Sequence, residues 1–401
     1  MRITRKATAG IATAAAVALA LTGCSGAASG SESGSAGGDV TIGVLVSDAT
    51  SSEALGFKDY YLDYIAENFD VNFVYSDELA DAEAEKSAME GFIANNYQAV
   101  ISFASADRPT QIDMAEDAGI YYAVGTGTLS ADDYDTYKDY EYYVGAIGPS
   151  LEIEQQAGYD MAKYYVEQGD TSFGIFGAGV PYRLDMHVYR VAGMLAALAE
   201  EPSTTYGGLK DAGAIVGKIY QDGTINPADF SSDVYSLDGY FAAWDFGDPA
   251  WQAAQANLVA ADPDVILAAG TGFAVAGAAV AGTDIQIGDI DAYTEDNLKA
   301  MEAGTLTYLA GKFTSINGPI FAATLSAVEG KPFRDGDSAL ALAQGYWVAT
   351  SADEFQQILD ADTIDAPVYD KASLEPFIGT DATYEDFADF VSKYTFADLV
   401  G

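Results

Sequence analysis

The sequence predicts an α/β protein built as two doubly wound parallel-sheet lobes. Short, continuous apolar runs at residues 265–269, 285–290 and 306–310 have the length of strands buried on both faces of a parallel sheet. Each run is followed by a polar or glycine turn and then by a helical pattern. This alternation begins near Val40 and starts again near Ser172, so a half-chain of parallel strands recurs. At 401 residues the chain is long for one domain, and two is the natural count.

Residues 40–47 (VTIGVLVS) read as the first strand, ending at Asp48. A helix follows over 52–68, with Leu55, Tyr61, Leu62 and Ile65 on one side, and then a strand over 71–76. The 81–95 helix has Asp81 as its N-cap and turns Ala84, Ala88, Met89 and Phe92 inward. Runs at 99–103, 120–124 and 142–147 are the next strands, and 152–168 is a polar helix. The second half opens with a strand over 172–179 and a helix over 184–198, which has Arg190 and Gly193 near its middle. Residues 202–213 read as a surface loop, 214–220 as a strand and 239–249 as an aromatic, turn-rich segment. A helix over 251–260 leads into the three central runs. Beyond them come a helix at 319–329, a strand at 339–349 and a tail closed by an acidic helix at 384–394.

Lysine and arginine number 18 against 61 acidic residues, a net charge of −43. Such a balance argues against nucleic acid and against anionic lipid headgroups as partners. The only histidine, His187, lies in a helical pattern, and this speaks against a Ser-His-Asp triad. The histidine count excludes a two-His zinc site, and no P-loop pattern occurs. The sequence therefore predicts a non-enzyme with neither cofactor nor metal.

At the N-terminus, Arg2, Arg5 and Lys6 precede an apolar stretch at 11–21, followed by Leu21-Thr22-Gly23-Cys24. The apolar stretch is short for a membrane span, and its flanks are those of a signal peptide. The four residues look like a bacterial lipobox. That resemblance implies a signal peptide over 1–23 and lipidation of Cys24, the only cysteine. Residues 24–39 are nearly all Gly, Ser and Ala and read as a flexible tether. No later stretch is apolar enough for a transmembrane helix.

In open α/β sheets, ligands bind beyond the C-terminal ends of the strands. That rule selects Thr271 within Gly270-Thr271-Gly272, Asp291 and Lys312.

The first strand and its helix, Arg190-Val191-Ala192-Gly193, Pro263-Asp264-Val265-Ile266 and Ile287-Gly288-Asp289-Ile290-Asp291 together resemble the type I periplasmic solute-binding proteins of ABC importers. Met301-Glu302-Ala303-Gly304-Thr305-Leu306 and Lys312 before Asn317-Gly318 fit the same pattern. The resemblance spans about residues 40–350. It implies two lobes joined by a three-crossing hinge near Gly148, Lys312 and Gly345, with a ligand clamped between them. The lobes would comprise 40–147 with 313–345, and 148–312 with 346–401. The family implies a monomer that hands a carbohydrate to an ABC permease from a lipid anchor on the outer face of the bacterial cell membrane. A receptor serving a membrane sensor is an alternative. Asp248-Pro249-Ala250 and Ala269-Gly270-Thr271-Gly272 look like the basic-membrane-protein branch, which takes nucleosides, so both ligand classes stay open. Phe246 stands where sugar binders place a stacking aromatic, and Trp244 is its alternate. Asp48, Phe57, Arg108 and Arg183 lie in loops or first turns facing the expected cleft.

Overall fold

The structure is a computed structural model that describes residues 40–177, 185–242 and 250–401. In chain order its strands are β1 (Val40–Val46), β2 (Val71–Glu78), β3 (Ala99–Ser102), β4 (Tyr121–Val124) and β5 (Tyr143–Gly148), then β6 (Ser172–Phe176), β7 (Thr205–Tyr206), β8 (Phe230–Ser231), β9 (Ser236–Phe241) and β10 (Val265–Ala268). The last four are β11 (Gln286–Ile290), β12 (Leu306–Gly311), β13 (Leu340–Ala343) and β14 (Trp347–Ala349). The first large sheet runs β2-β1-β3-β4-β5-β13, all parallel, and the second runs β9-β6-β10-β11-β12-β14. Only β14 in the second sheet is antiparallel to its neighbour. Both sheets thus share one winding order, and the doubly wound, two-lobed reading holds.

The chain passes between the sheets three times: after Gly148, between β12 and the helix Gly318–Val328, and between β13 and β14. These are the expected crossings. Gly148 is required by packing, since a Cβ there would lie 2.5 Å from the Gly127 amide nitrogen.

Side-chain caps start these helices, at Asp81 as the sequence predicts and at four further residues. Asp81, Ser51, Asp107, Ser150 and Thr294 each accept a backbone amide two or three residues on. Thr294, and not Asp291, caps the Glu295–Glu302 helix. The first helix contains a wide turn over Tyr60–Ile65, with an i to i−5 hydrogen bond. It buries two consecutive phenols, and these donate to the Tyr369 and Asn317 carbonyls.

Some elements differ from expectation. Residues 214–220 belong to a helix, Ala212–Asp222, capped by Asp211 and ended by Gly223 at φ 70°. Its buried Ala212, Ile215, Val216 and Ile219 follow a helical period that outweighs the strand preference of Ile and Val. The segment from 239 begins inside β9, a strand completing the second sheet. The 339–349 run is two strands in different sheets, separated by the third crossing. The tail divides as well. The Ala352–Ala361 helix lies against β14 and the Glu295–Glu302 helix, whereas residues 369–391 pack on Gly318–Val328 and β13 of the first sheet. Tyr369 bonds the first-lobe Tyr60, so the expected 346–401 assignment to the second lobe does not describe these contacts.

Candidate functional site

Strand ends from both sheets point into one cleft. From the first lobe, Ser51 starts the helix Ser52–Asp59, which carries Glu53 in its first turn. Glu53 Oε1 lies 3.2 Å from Lys312 Nζ, which also donates to Thr126 Oγ1 at 3.2 Å. Lys312 sits on the second crossing, so its ammonium joins loops beyond β1, β4 and β12.

Thr126 is held by Arg108, whose guanidinium donates to the carbonyls of Ala104 (3.1 Å), Thr126 (2.8 Å) and Thr128 (3.2 Å). Arg108 therefore acts as a staple between the loops after β3 and β4. The buried Glu85 carboxylate accepts from the Ala106 and Asp107 amides and fixes the loop that carries it. Asp48 is engaged locally, with Oδ1 accepting from the amides of Thr50 (2.9 Å) and Ser51 (3.0 Å). Burial pushes its pKa up, but hydrogen bonds from Thr50 and Ser51 together hold it below the usual value. Phe57 is buried, stacks on Phe103 at 5.8 Å and lines a cavity of about 40 Å³ with Glu53, Tyr293 and Lys312.

From the second lobe, Asp291 follows β11. Burial pushes its carboxyl up to about 6; the charge of Glu53 adds to this, while the Ala292 amide, Asn297 and Arg190 oppose it. Asp291 thus lies within electrostatic range of both Glu53 and Arg190. Two residues earlier, Asp289 is fully buried and accepts from the amides of Phe273 and Ile290, each at 2.9 Å. It anchors the start of the helix Gly272–Val280. Thr271, just before that helix, has φ 52°. A β-branched residue in the left-handed region is strained, and such strain collects at ligand sites.

Behind this turn lies a buried charged triad. Arg190 donates Nε to Glu154 (2.6 Å), Nη1 to the Ala269 carbonyl (2.5 Å) and Nη2 to the Tyr346 hydroxyl (2.7 Å). The Tyr346 hydroxyl in turn faces both Glu154 oxygens at 2.8 Å. Arg190 and Glu154 are each about 5% exposed, so their mutual neutralisation is what permits the burial. His187 is pushed down to about 3 by burial and then by Arg190, and stays neutral. A Cβ at Gly270 would lie 2.9 Å from His187 Nε2, so glycine lets the turn close over the imidazole.

Asp291 and Lys312 are thus brought together beyond the paired strands β11 and β12, with Thr271 beyond the neighbouring β10, Glu53 bonded to Lys312 and Phe57 beside it. Asp48 and Arg108 are committed to their own loops. Phe246, Trp244, Arg183 and Cys24 lie outside the described residues. Glu53, Thr126, Glu154, Arg190 and Tyr346 were not among the sequence candidates. Arg190 stood in the quoted Arg-Val-Ala-Gly motif and Tyr346 beside the expected third crossing, while nothing local marks Glu154. Among the described residues, no group of three or more His, Cys, Asp or Glu is placed to hold a metal ion. No described helix is long and apolar enough to cross a membrane.

No protein-family model matches the chain, and no curated protein matches it in sequence. Solved structures do match its fold, which is that of the type I periplasmic binding proteins. An ABC transporter solute-binding protein from Bacillus halodurans with bound myo-inositol is 17% identical, with 82% of this chain and 99% of that one covered, at a TM-score of 0.56. A periplasmic solute-binding protein from Actinobacillus succinogenes with bound D-allose is 15% identical, with 80% and 100% covered, at 0.59. The transcription regulator CcpA of Lactococcus lactis is 13% identical, with 78% and 99% covered, at 0.51. At such identities the likeness is one of fold.

Proposed function

We propose that the protein is the solute-binding component of an ABC importer and captures a small polyhydroxylated solute, foremost a carbohydrate, between its two lobes. The observation that carries this is the convergence of Asp291 and Lys312, beyond the ends of the paired strands β11 and β12, with first-lobe Glu53, which bonds Lys312. Paired hydroxyls both donate and accept, and a cleft offering carboxylates beside cations meets them with charge-assisted bonds, about twice as strong as neutral ones. Similar folds hold D-allose and myo-inositol, both polyhydroxylated rings. CcpA has the same fold in a transcription regulator; the net charge of −43 weighs against that use here. Asp291 and Lys312 contact the solute in this reading, Thr271 shapes the turn beside them, and Phe246 or Trp244 supplies a stacking face.

Lipidation of Cys24 would hold the protein outside the membrane. Cys24→Ala should then move it from the membrane fraction to the soluble one, whereas a variant still retained after alkaline carbonate would overturn the anchor. The function is tested by a thermal-shift screen against monosaccharides, inositols and nucleosides. A solute at 100 times its dissociation constant adds about 2.7 kcal/mol of stability. Stabilisation by nucleosides alone would replace the carbohydrate reading, and no stabilisation by any of them would count against both.

A further inference from the structure

The tail after residue 350 takes no part in either sheet, yet it touches the second and third crossings. Asp362 receives the Ser315 amide (2.8 Å) and hydroxyl (2.6 Å), three residues beyond Lys312, and the Val368 amide (2.8 Å). Tyr369 donates its amide to Ser315 Oγ (3.2 Å) and accepts Gln344 Nε2 on its hydroxyl (3.1 Å). The Tyr394 carbonyl accepts Trp347 Nε1 at 2.7 Å, and its ring is so close to Gly345 that a Cβ there would lie 3.0 Å away. Phe313 stacks on Trp347 at 4.1 Å and meets Tyr369 at 5.7 Å, so aromatic rings link the second crossing to the third and to the tail.

The same tail grips both lobes. Phe355 packs edge-on against Tyr293 of the second lobe at 4.9 Å. Tyr369 takes the Tyr60 hydroxyl of the first lobe, and Lys371 bonds Tyr64 and Asn68 there. Opening or closing a hinge needs torsion changes in its few crossing residues. Here those residues, 313–315 and 344–347, are bonded from outside by a segment attached to both bodies.

We propose that the C-terminal tail is an external clamp on the hinge, and that Tyr369 and Tyr394 are positioning residues that set how far the cleft opens and so how tightly it holds its solute. This rests on the solute-binding reading for its use, but the clamp itself is testable with no solute present. Spin labels at Lys86→Cys and Glu167→Cys, one on each lobe, report the interlobe distance in a full-length Cys24→Ser background. Tyr369→Phe removes one hydrogen bond, and Tyr394→Ala removes the ring against Gly345. Each should shift the distance distribution, and for Tyr369→Phe the ratio of open to closed populations should change about fivefold, as for a typical net hydrogen bond. Tyr394→Phe, which keeps the ring, should match the parent. Distributions for Tyr369→Phe and Tyr394→Ala that superimpose on the parent's, with unchanged circular dichroism, would overturn the clamp. Should Tyr394→Ala fail to fold, Tyr369→Phe decides alone. Failure of the solute screen leaves this result intact, and failure here leaves the screen intact.

Discussion

Burial, with the charge of Glu53 adding to it, raises the Asp291 carboxyl above its ordinary range, and the fully buried Asp289 two residues earlier is raised as well, so the two titrate together. Both folded values lie above the ordinary 3.8, so the pair's contribution to the stability of the solute-free protein is complete below 3.8 and is lost as pH rises through the raised values, about 6 and about 8. Solute binding should run the other way. Hydroxyls that donate to Asp291 favour the anion, so affinity should climb as pH rises through 6 and level off above, and Asp291→Asn should flatten that profile in calorimetric titrations. Asp291→Ala should cost about 1.5–3 kcal/mol of binding by leaving hydroxyls unpaired, roughly a 10- to 150-fold loss of affinity. Its melting temperature should change far less. Wild-type affinity in that variant would move the site elsewhere. Arg190 behaves differently, because it is wholly enclosed. Arg190→Met strands the Glu154 carboxylate and should lower unfolding free energy by about 3–5 kcal/mol in denaturant titrations.

At the scale of elements, the helices Leu151–Gln168 and Asp185–Leu198 approach closely through glycine. A Cβ at Gly158 would collide with the Arg190 carbonyl oxygen, and one at Gly193 with the Gln155 carbonyl. Gly158→Ala and Gly193→Ala should each cost about 1–3 kcal/mol or more through overpacking, read as a fall in denaturant midpoint. This contact also carries Glu154 to Arg190, so either variant should disturb the triad. The strand-end rule reached Asp291 and Lys312 from sequence because both directly follow apolar runs. It did not reach Glu154, a polar residue among others on an exposed-looking helix, since its partners Arg190 and Tyr346 are 36 and 192 residues away. The helix at 212–222 was illegible for a local reason: Ala-Ile-Val followed by Ile-Tyr looks strand-like until Asp211 and Gly223 are read as its caps. The division of 339–349 into two strands follows from which sheet each half pairs with, a choice made by distant partners.

For the molecule as a whole, three crossings predict a hinge motion, and small-angle scattering should show a smaller radius of gyration once a stabilising solute from the thermal screen is added. An unchanged radius in a protein not already closed would count against it. The shared winding order has a consequence for how the chain is made. β5 ends at Gly148, but its outer neighbour β13 begins only at Leu340, and β12 waits for β14 at Trp347. During synthesis, neither sheet has its sixth strand until the chain is nearly complete. A ribosome-bound fragment ending near residue 330 therefore exposes an unpaired edge on each of two sheets, which is a template for wrong pairing. Fragments stalled there should be protease-sensitive and aggregation-prone, and protection should arrive for both lobes together once residues beyond 350 emerge. A first half protected long before that point would show that one lobe matures without its borrowed strand.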